Sequence, residues 1–193
     1  EKFETGRNFA NKIWNASRLI LMNIDPQNSD DNISHADLKT LDLPSRWILS
    51  QFYTTLEKTN KAIESYKFSE AENLIYDFFW KNFCDWYLEM IKDKFSDKGV
   101  QRATLHILKN SLKILHPFMP FVTEELWGSI AAEEKKLIIQ PWPASQKKFI
   151  SKNAIEEMNT LTELVAAIRN MRSKWNVSEH AKIACILETS LPV

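Results

Sequence analysis

The sequence predicts an all-α fold, an antiparallel helix bundle, with a C-terminal helix–strand piece of a small α/β unit. Three observations predict it. Only three glycines occur in 193 residues, too few for a turn-rich β fold. Apolar residues recur at three- and four-residue steps through most of the chain. One short apolar, β-branched run stands apart near the end.

The first helix is expected over about residues 3–23. Phe9, Ile13, Ala16 and Ile20 fall together at 100° per residue and read as its buried face. The polar, acidic stretch "DPQNSDDNISHADLKTLDLP" reads as a loop or a poorly ordered excursion. Asp42 before Leu43-Pro44 signals the start of a second helix, with Pro in the first turn. Leu49, Phe52, Leu56, Ile63 and Tyr66 mark its buried side. Ser69 and Glu72 have capping-box spacing and are expected to open a third helix, "EAENLIYDFFWKNFCDWYLEMIKDKF". That helix is apolar nearly all round, the mark of a central element. "SDKG" ends it.

A fourth helix carries the stripe Leu105, Leu108, Leu112, Leu115. His116-Pro117 and Pro120 break it, and "FVTEELWGSI" forms a short fifth. "LIIQPWPASQKKF" is proline-punctuated and extended, so a boundary is placed there: a bundle over residues 1–143 and a second, incomplete unit over 144–193. The second unit opens with an amphipathic helix over 152–174 and continues into "AKIACILE", read as a strand that needs partners.

Chemistry is conspicuous by its absence. There is no Gly-rich phosphate loop and no nucleophile elbow. His35, His106, His116 and His180 are scattered, and Cys84 and Cys185 form neither a zinc pattern nor a disulfide framework. Adjacent pairs such as Glu124-Glu125 point in different directions from a helix. The segment is expected to catalyse nothing and to bind no metal or cofactor. The cysteine usage points to a reducing cytoplasm. No run approaches the ~18 apolar residues of a membrane span. Lys plus Arg and Asp plus Glu are both 25, so an anionic partner must be met by a local patch. Glu1 opens in or just before a helix, as expected of a piece of something longer.

One stretch asks for a partner. In "RNFANKIWNASRLI", Asn8, Asn11, Asn15 and Arg18 share an arc of about 80°, apart from the apolar face and flanked by Arg7 and Trp14. Amides donate and accept together, which suits a base edge; Arg suits phosphate or guanine, and an indole suits stacking. The same stripe also reads as a solvated face or as amides bracing a neighbouring helix. Trp80 and Trp86 lie near the edges of the third helix's apolar face and could present a ring to a base. Arg46-Trp47 pairs a cation with an aromatic near a helix N-terminus, where a phosphate could dock. Arg169, Arg172, Lys174 and Lys182 with Lys147-Lys148 could follow a nucleic-acid backbone, or simply be a solvated face.

"RNFANKIWNASR", "SRWILSQF", "YDFFWKNFCDWYLEMIKD", "LHPFMPFVTEELW" and "QPWP", in this order and at these spacings, resemble the anticodon-binding region of class I aminoacyl-tRNA synthetases of the valyl, isoleucyl, leucyl and methionyl group. "YDFFWKNFCDWYLE" resembles the valyl members, and "LVAAIRNMRSKWNV" resembles the valyl segment that begins a stem-contact helix–strand unit. The resemblance implies a bundle that receives the tRNA anticodon stem-loop, with Asn11, Asn15 and Arg18 facing the anticodon and Trp86 stacking near it. It implies a parent ligase that uses ATP and Mg²⁺ in a Rossmann domain packed against the bundle, and that acts as a cytoplasmic monomer. The signature motifs of that catalytic domain are absent from this chain. "MRSK" at residues 171–174 is only an echo of one. An isoleucyl-type parent and a non-enzymatic protein-interaction bundle are the other readings.

Overall fold

The structure is a computed structural model and describes residues 2–26, 31–34, 36–130, 136–178, 181–184 and 186. Among these residues every regular element is helical. They run α1 (Lys2–Asn23), α2 (Asp37–Thr40), α3 (Leu43–Glu64), α4 (Phe68–Asp77), a π-helical segment (Phe78–Tyr87), a closing turn α5 (Leu88–Met90), α6 (Lys98–Leu115), α7 (Pro120–Ile130) and α8 (Lys152–Lys174). Short 3₁₀ turns fall at Leu137–Ile139 and Lys147–Phe149. The chain forms two compact units, Glu1–Glu156 and Glu157–Val193.

The apolar stripes become the core of the first unit. Phe9, Ile13, Ala16 and Ile20 of α1 are buried, as are Leu49, Phe52 and Leu56 of α3 and the four leucines of α6. Fully burying each of these larger side chains, Ala16 apart, contributes roughly 1.5–3 kcal/mol. Asp42 caps α3 by accepting from the Ser45 backbone N–H at 3.0 Å, as its sequence position predicts. Asp97 caps α6 in the same way, from Gly99 at 2.7 Å and Val100 at 3.1 Å.

Some buried polar groups are paired across helices. The Tyr87 hydroxyl lies 3.0 Å from the Thr104 hydroxyl and 3.4 Å from that of Ser45, joining the π segment to α6 and α3. The Tyr53 hydroxyl meets His106 Nε2 at 2.9 Å. The stretch after α7 is strapped along α3. Ser50 donates to the Phe149 carbonyl at 2.8 Å and accepts from the Ser151 N–H at 2.9 Å. The Trp142 indole donates to Asn60 at 2.9 Å.

Several sequence expectations are corrected. The Ser69–Glu72 capping box does not form: α4 begins at Phe68, and Lys67 precedes it without a side-chain cap. The reason lies in the preceding turn. Lys67 N–H bonds back to the Ala62 carbonyl and Tyr66 N–H to that of Ile63, a Schellman closure with Tyr66 in the left-handed region at φ 57°. Tyr66, expected on the buried side of α3, is therefore outside the helix and 82% exposed.

The acidic insert is likewise not a loose excursion where it is described. Asp37 forms an ion pair with Arg102 at 2.5 Å and Asp31 with Lys109 at 3.2 Å, and Ile33 is buried. Ser34 and the Arg102 guanidinium hold the Asp37 carboxyl below its ordinary range, Ser34 contributing more. The expected third helix changes pitch, with ten residues in π winding.

The strand expected at "AKIACILE" is not seen among the described residues: 181–184 and 186 have no regular structure, and the rest of that run lies outside them. No described helix is long and apolar enough to cross a membrane.

Candidate nucleic-acid interface

The amide stripe forms as the helical periodicity requires. Asn8, Asn11, Asn15 and Arg18 are all exposed on α1, opposite the buried Ile13 and Ile20. Among the described residues none of the four has a side-chain hydrogen bond or ion pair. The amides therefore do not brace a neighbouring helix. Trp14 flanks them with 45% of its surface exposed. About seventeen hydrogen-bonding positions, four from each of three amides and five from one guanidinium, face water along about three turns of helix.

Beside the stripe, α1 is clamped to the π segment. Lys12 reaches the Asp85 carboxylate at 2.6 Å and lies over the Trp80 ring, 5.1 Å from its centroid. Trp80 also stacks on Tyr76 at 5.5 Å and on Phe9 at 6.2 Å. Its ring packs within this cluster and is half-buried. Trp86, the next residue after Asp85, is half-buried on the same segment. Cys84, on Asp85's other side, is buried, and burial pushes its thiol up to about 12. It is an inert core residue at neutral pH.

The Arg46-Trp47 expectation splits. Trp47 is 3% exposed and belongs to the core of α3, so it has no ring face to offer RNA. The first half of α3 is buried nearly all round, with Ser45, Ile48, Leu49, Ser50, Phe52 and Tyr53 buried alongside it, which is the physical reason. The start of α3 is not an empty phosphate site either, because the Asp42 carboxylate occupies it and Lys94 pairs with Asp42 at 3.0 Å. Arg46 is half-buried, and its Nε is buried with no hydrogen-bond partner.

Arg169 and Arg172 lie in the second unit, on α8. They line a groove of ≈ 950 Å³ with Val165, Ile168, Asn176 and Val177. Arg172 donates to the backbone carbonyls of Ser178 and Ala181, the latter at 3.1 Å, and so braces its own unit. Arg169 is exposed. Among the described residues no group of three or more His, Cys, Asp or Glu is placed to hold a metal ion.

Lys12 and Asp85 were not legible as site residues. Lys12 borders the stripe on a helical wheel, about 40° from Asn8, which was the only signal available. Asp85 gave none, because its pairing spans 73 residues of chain.

Residues 45–187 match the family model described as the anticodon-binding domain of tRNA ligase. The valine–tRNA ligase of Fervidobacterium nodosum is 38% identical over 192 residues, covering 98% of this chain and 22% of that protein. That of Clostridium acetobutylicum is 38% identical over 196 residues, covering 97% of this chain and 22% of the relative. The chain thus spans about a fifth of the length of the curated relatives it matches. Among solved structures, the Agrobacterium radiobacter K84 agnB2 LeuRS–tRNA–LeuAMS ternary complex matches with a TM-score of 0.56 at 19% identity, over 76% of this chain and 17% of that one. That likeness is one of fold. With its helical bundle and a match over most of its length, the chain belongs to the anticodon-binding domain family of tRNA ligases.

Proposed function

We propose that this chain is the tRNA anticodon-arm-binding region of a valine–tRNA ligase. The observation that carries the reading is the exposed, unpartnered stripe Asn8, Asn11, Asn15 and Arg18 on α1. In a chain this similar to valine–tRNA ligases, such a stripe offers its donors and acceptors to an external partner. Amides and a guanidinium contact the unpaired bases and phosphates of the loop, and Trp14 and Trp86 supply aromatic faces beside them. Arg46 and Arg169 meet backbone phosphates.

The longer protein activates valine with ATP and Mg²⁺ and esterifies it to the tRNA 3′ end, in a Rossmann domain packed against this bundle. It works in the cytoplasm as a monomer. Residues 1–143 hold the anticodon arm. Residues 144–193 begin a stem-contact subdomain. The chain itself contributes position and selection and performs no bond chemistry.

Fluorescence anisotropy with a valine-accepting tRNA and with an anticodon-substituted copy tests this. Wild type binds the first more tightly. Asn15→Ala, Arg18→Ala and Trp86→Ala each weaken it by roughly 1–3 kcal/mol, the worth of a base-edge or stacking contact. Equal affinity of all variants and both RNAs sinks the assignment and favours the protein-interaction bundle. Preference for an isoleucine-accepting tRNA moves the parent to the isoleucyl type.

A further inference from the structure

The π segment solves a geometric problem that an α-helix could not. Lys12 touches both the Trp80 ring and the Asp85 carboxylate, two residues five apart in the chain. In an α-helix residues five apart diverge by about 140°. In π winding the i and i+5 residues belong to adjacent turns and face the same way. The backbone bond from Leu88 N–H to the Phe83 carbonyl shows that winding directly. The inserted pitch therefore brings Trp80 and Asp85 to one side, against α1. The aromatic ladder Phe79, Phe83, Tyr87, with centroids 5.3 and 5.8 Å apart, fills the core behind them.

The result is a carboxylate placed beside an amide face. Lys12 lies next to Asn8 and Asn15 on the α1 wheel, so Asp85 stands at the edge of the stripe. Its side chain is 44% exposed, and only Oδ1 is engaged by Lys12. A carboxylate is a poor neighbour for phosphates. Here Lys12 neutralises it, and its remaining oxygen accepts but cannot donate. That is the chemistry of a reader for an exocyclic amine.

Building on the reading of the stripe as an RNA-facing surface, we propose that Asp85, held by Lys12, is a specificity-determining residue that accepts a hydrogen bond from the exocyclic amine of one unpaired base. Cytosine, adenine or guanine at that position satisfies Oδ2. Uracil, with carbonyl oxygens on both sides of its N3–H, sets lone pairs against it. Asp85 thus adds to the stripe a discrimination that amides cannot supply, since an amide can turn either its oxygen or its nitrogen toward a base.

The test uses the full chain and a set of RNA stem-loops that differ only in one loop base at a time, each carrying cytosine, adenine or uracil. Wild type should prefer the amino-bearing bases over uracil by about tenfold at one loop position. Asp85→Asn keeps the shape and removes the charge; it should abolish that preference while binding the uracil loop at least as well as wild type. Circular dichroism confirms that the variant is folded. An Asn11→Ala, Asn15→Ala double variant, measured in parallel, should bind every loop more weakly. If the double variant weakens binding but Asp85→Asn keeps the wild-type base preference, Asp85 is not a reader and the inference fails alone. If neither variant alters binding to any loop, the RNA-facing reading of the stripe fails and takes this inference with it.

Discussion

His106 shows how much a single residue can decide. Its Nδ1 donates to the Asp31 carbonyl at 2.9 Å, which leaves Nε2 to accept from the Tyr53 hydroxyl. Phe149 packs beside the ring, with centroids 5.8 Å apart. One neutral imidazole thus ties α6, α3, the insert and the strap after α7. Burial pushes its pKa below the ordinary 6.5, against the opposing pull of the Asp31 group, and Lys113 and Lys148 add to the depression. The folded state binds fewer protons here than the unfolded chain, so stability rises with pH in this range. The contribution is in full force above about pH 6.5 and is lost as pH falls below that value through the folded-state pKa. Thermal midpoints of wild type should therefore drop between about pH 7 and pH 5, and His106→Gln should show a shallower drop. Parallel curves would assign the acid sensitivity to other groups. Asp37 and Asp42, whose pKa values lie below 3.8, weaken the fold only at lower pH.

At the scale of elements, helix ends matter more than propensity. The turn between α3 and α4 forces Tyr66 into the left-handed region without the glycine that such a position favours. Its side chain is largely exposed and lies only at the edge of Phe68, with centroids 6.3 Å apart, so little packing offsets the strain. Tyr66→Gly should stabilise the chain by about 1 kcal/mol, the left-handed cost of an L-residue less the added freedom of glycine in the unfolded state. A denaturant midpoint that shifts upward at unchanged slope is the expected result. A lower midpoint would mean that the Tyr66 side chain contributes more than its surroundings show.

For the molecule as a whole, the balanced charge predicts modest electrostatics. Equal numbers of acidic and basic residues leave RNA binding to a few local cations. Each cation that meets a phosphate should steepen the dependence of log K on log salt by about 0.7 for single-stranded loops. Arg18→Ala and Arg46→Ala should each reduce that slope by roughly one contact, whereas Asn15→Ala should lower affinity and leave the slope unchanged. Titrations across a salt series measure both at once.

Much of the fold was legible because it depends on short-range repetition. The α1 stripe, the apolar face of α3 and the leucines of α6 follow from a 100° step, and the Asp42 cap follows from side-chain chemistry at a helix start. The exposed arc of Asn8, Asn11, Asn15 and Arg18 follows in the same way, since a helix that buries one side must show the other. Other features were not legible. Trp47 looks like half of a cation–aromatic pair in sequence, but it lies in a stretch of α3 that neighbouring segments bury nearly all round. The Ser69–Glu72 spacing matched a capping box, yet the Schellman closure at Tyr66 set the start of α4 first. The π winding of Phe78–Tyr87 has no local signature that separates it from an α-helix rich in aromatics. By itself, the sequence determined an all-helical bundle and an amide face pointing away from its core, because both are consequences of one helix's own period. Only the tertiary structure decided that Lys12 meets Asp85 and Trp80 at the edge of that face, because Lys12 and Asp85 are 73 positions apart and Asp85 lies in a π-wound segment packed against α1 and α3.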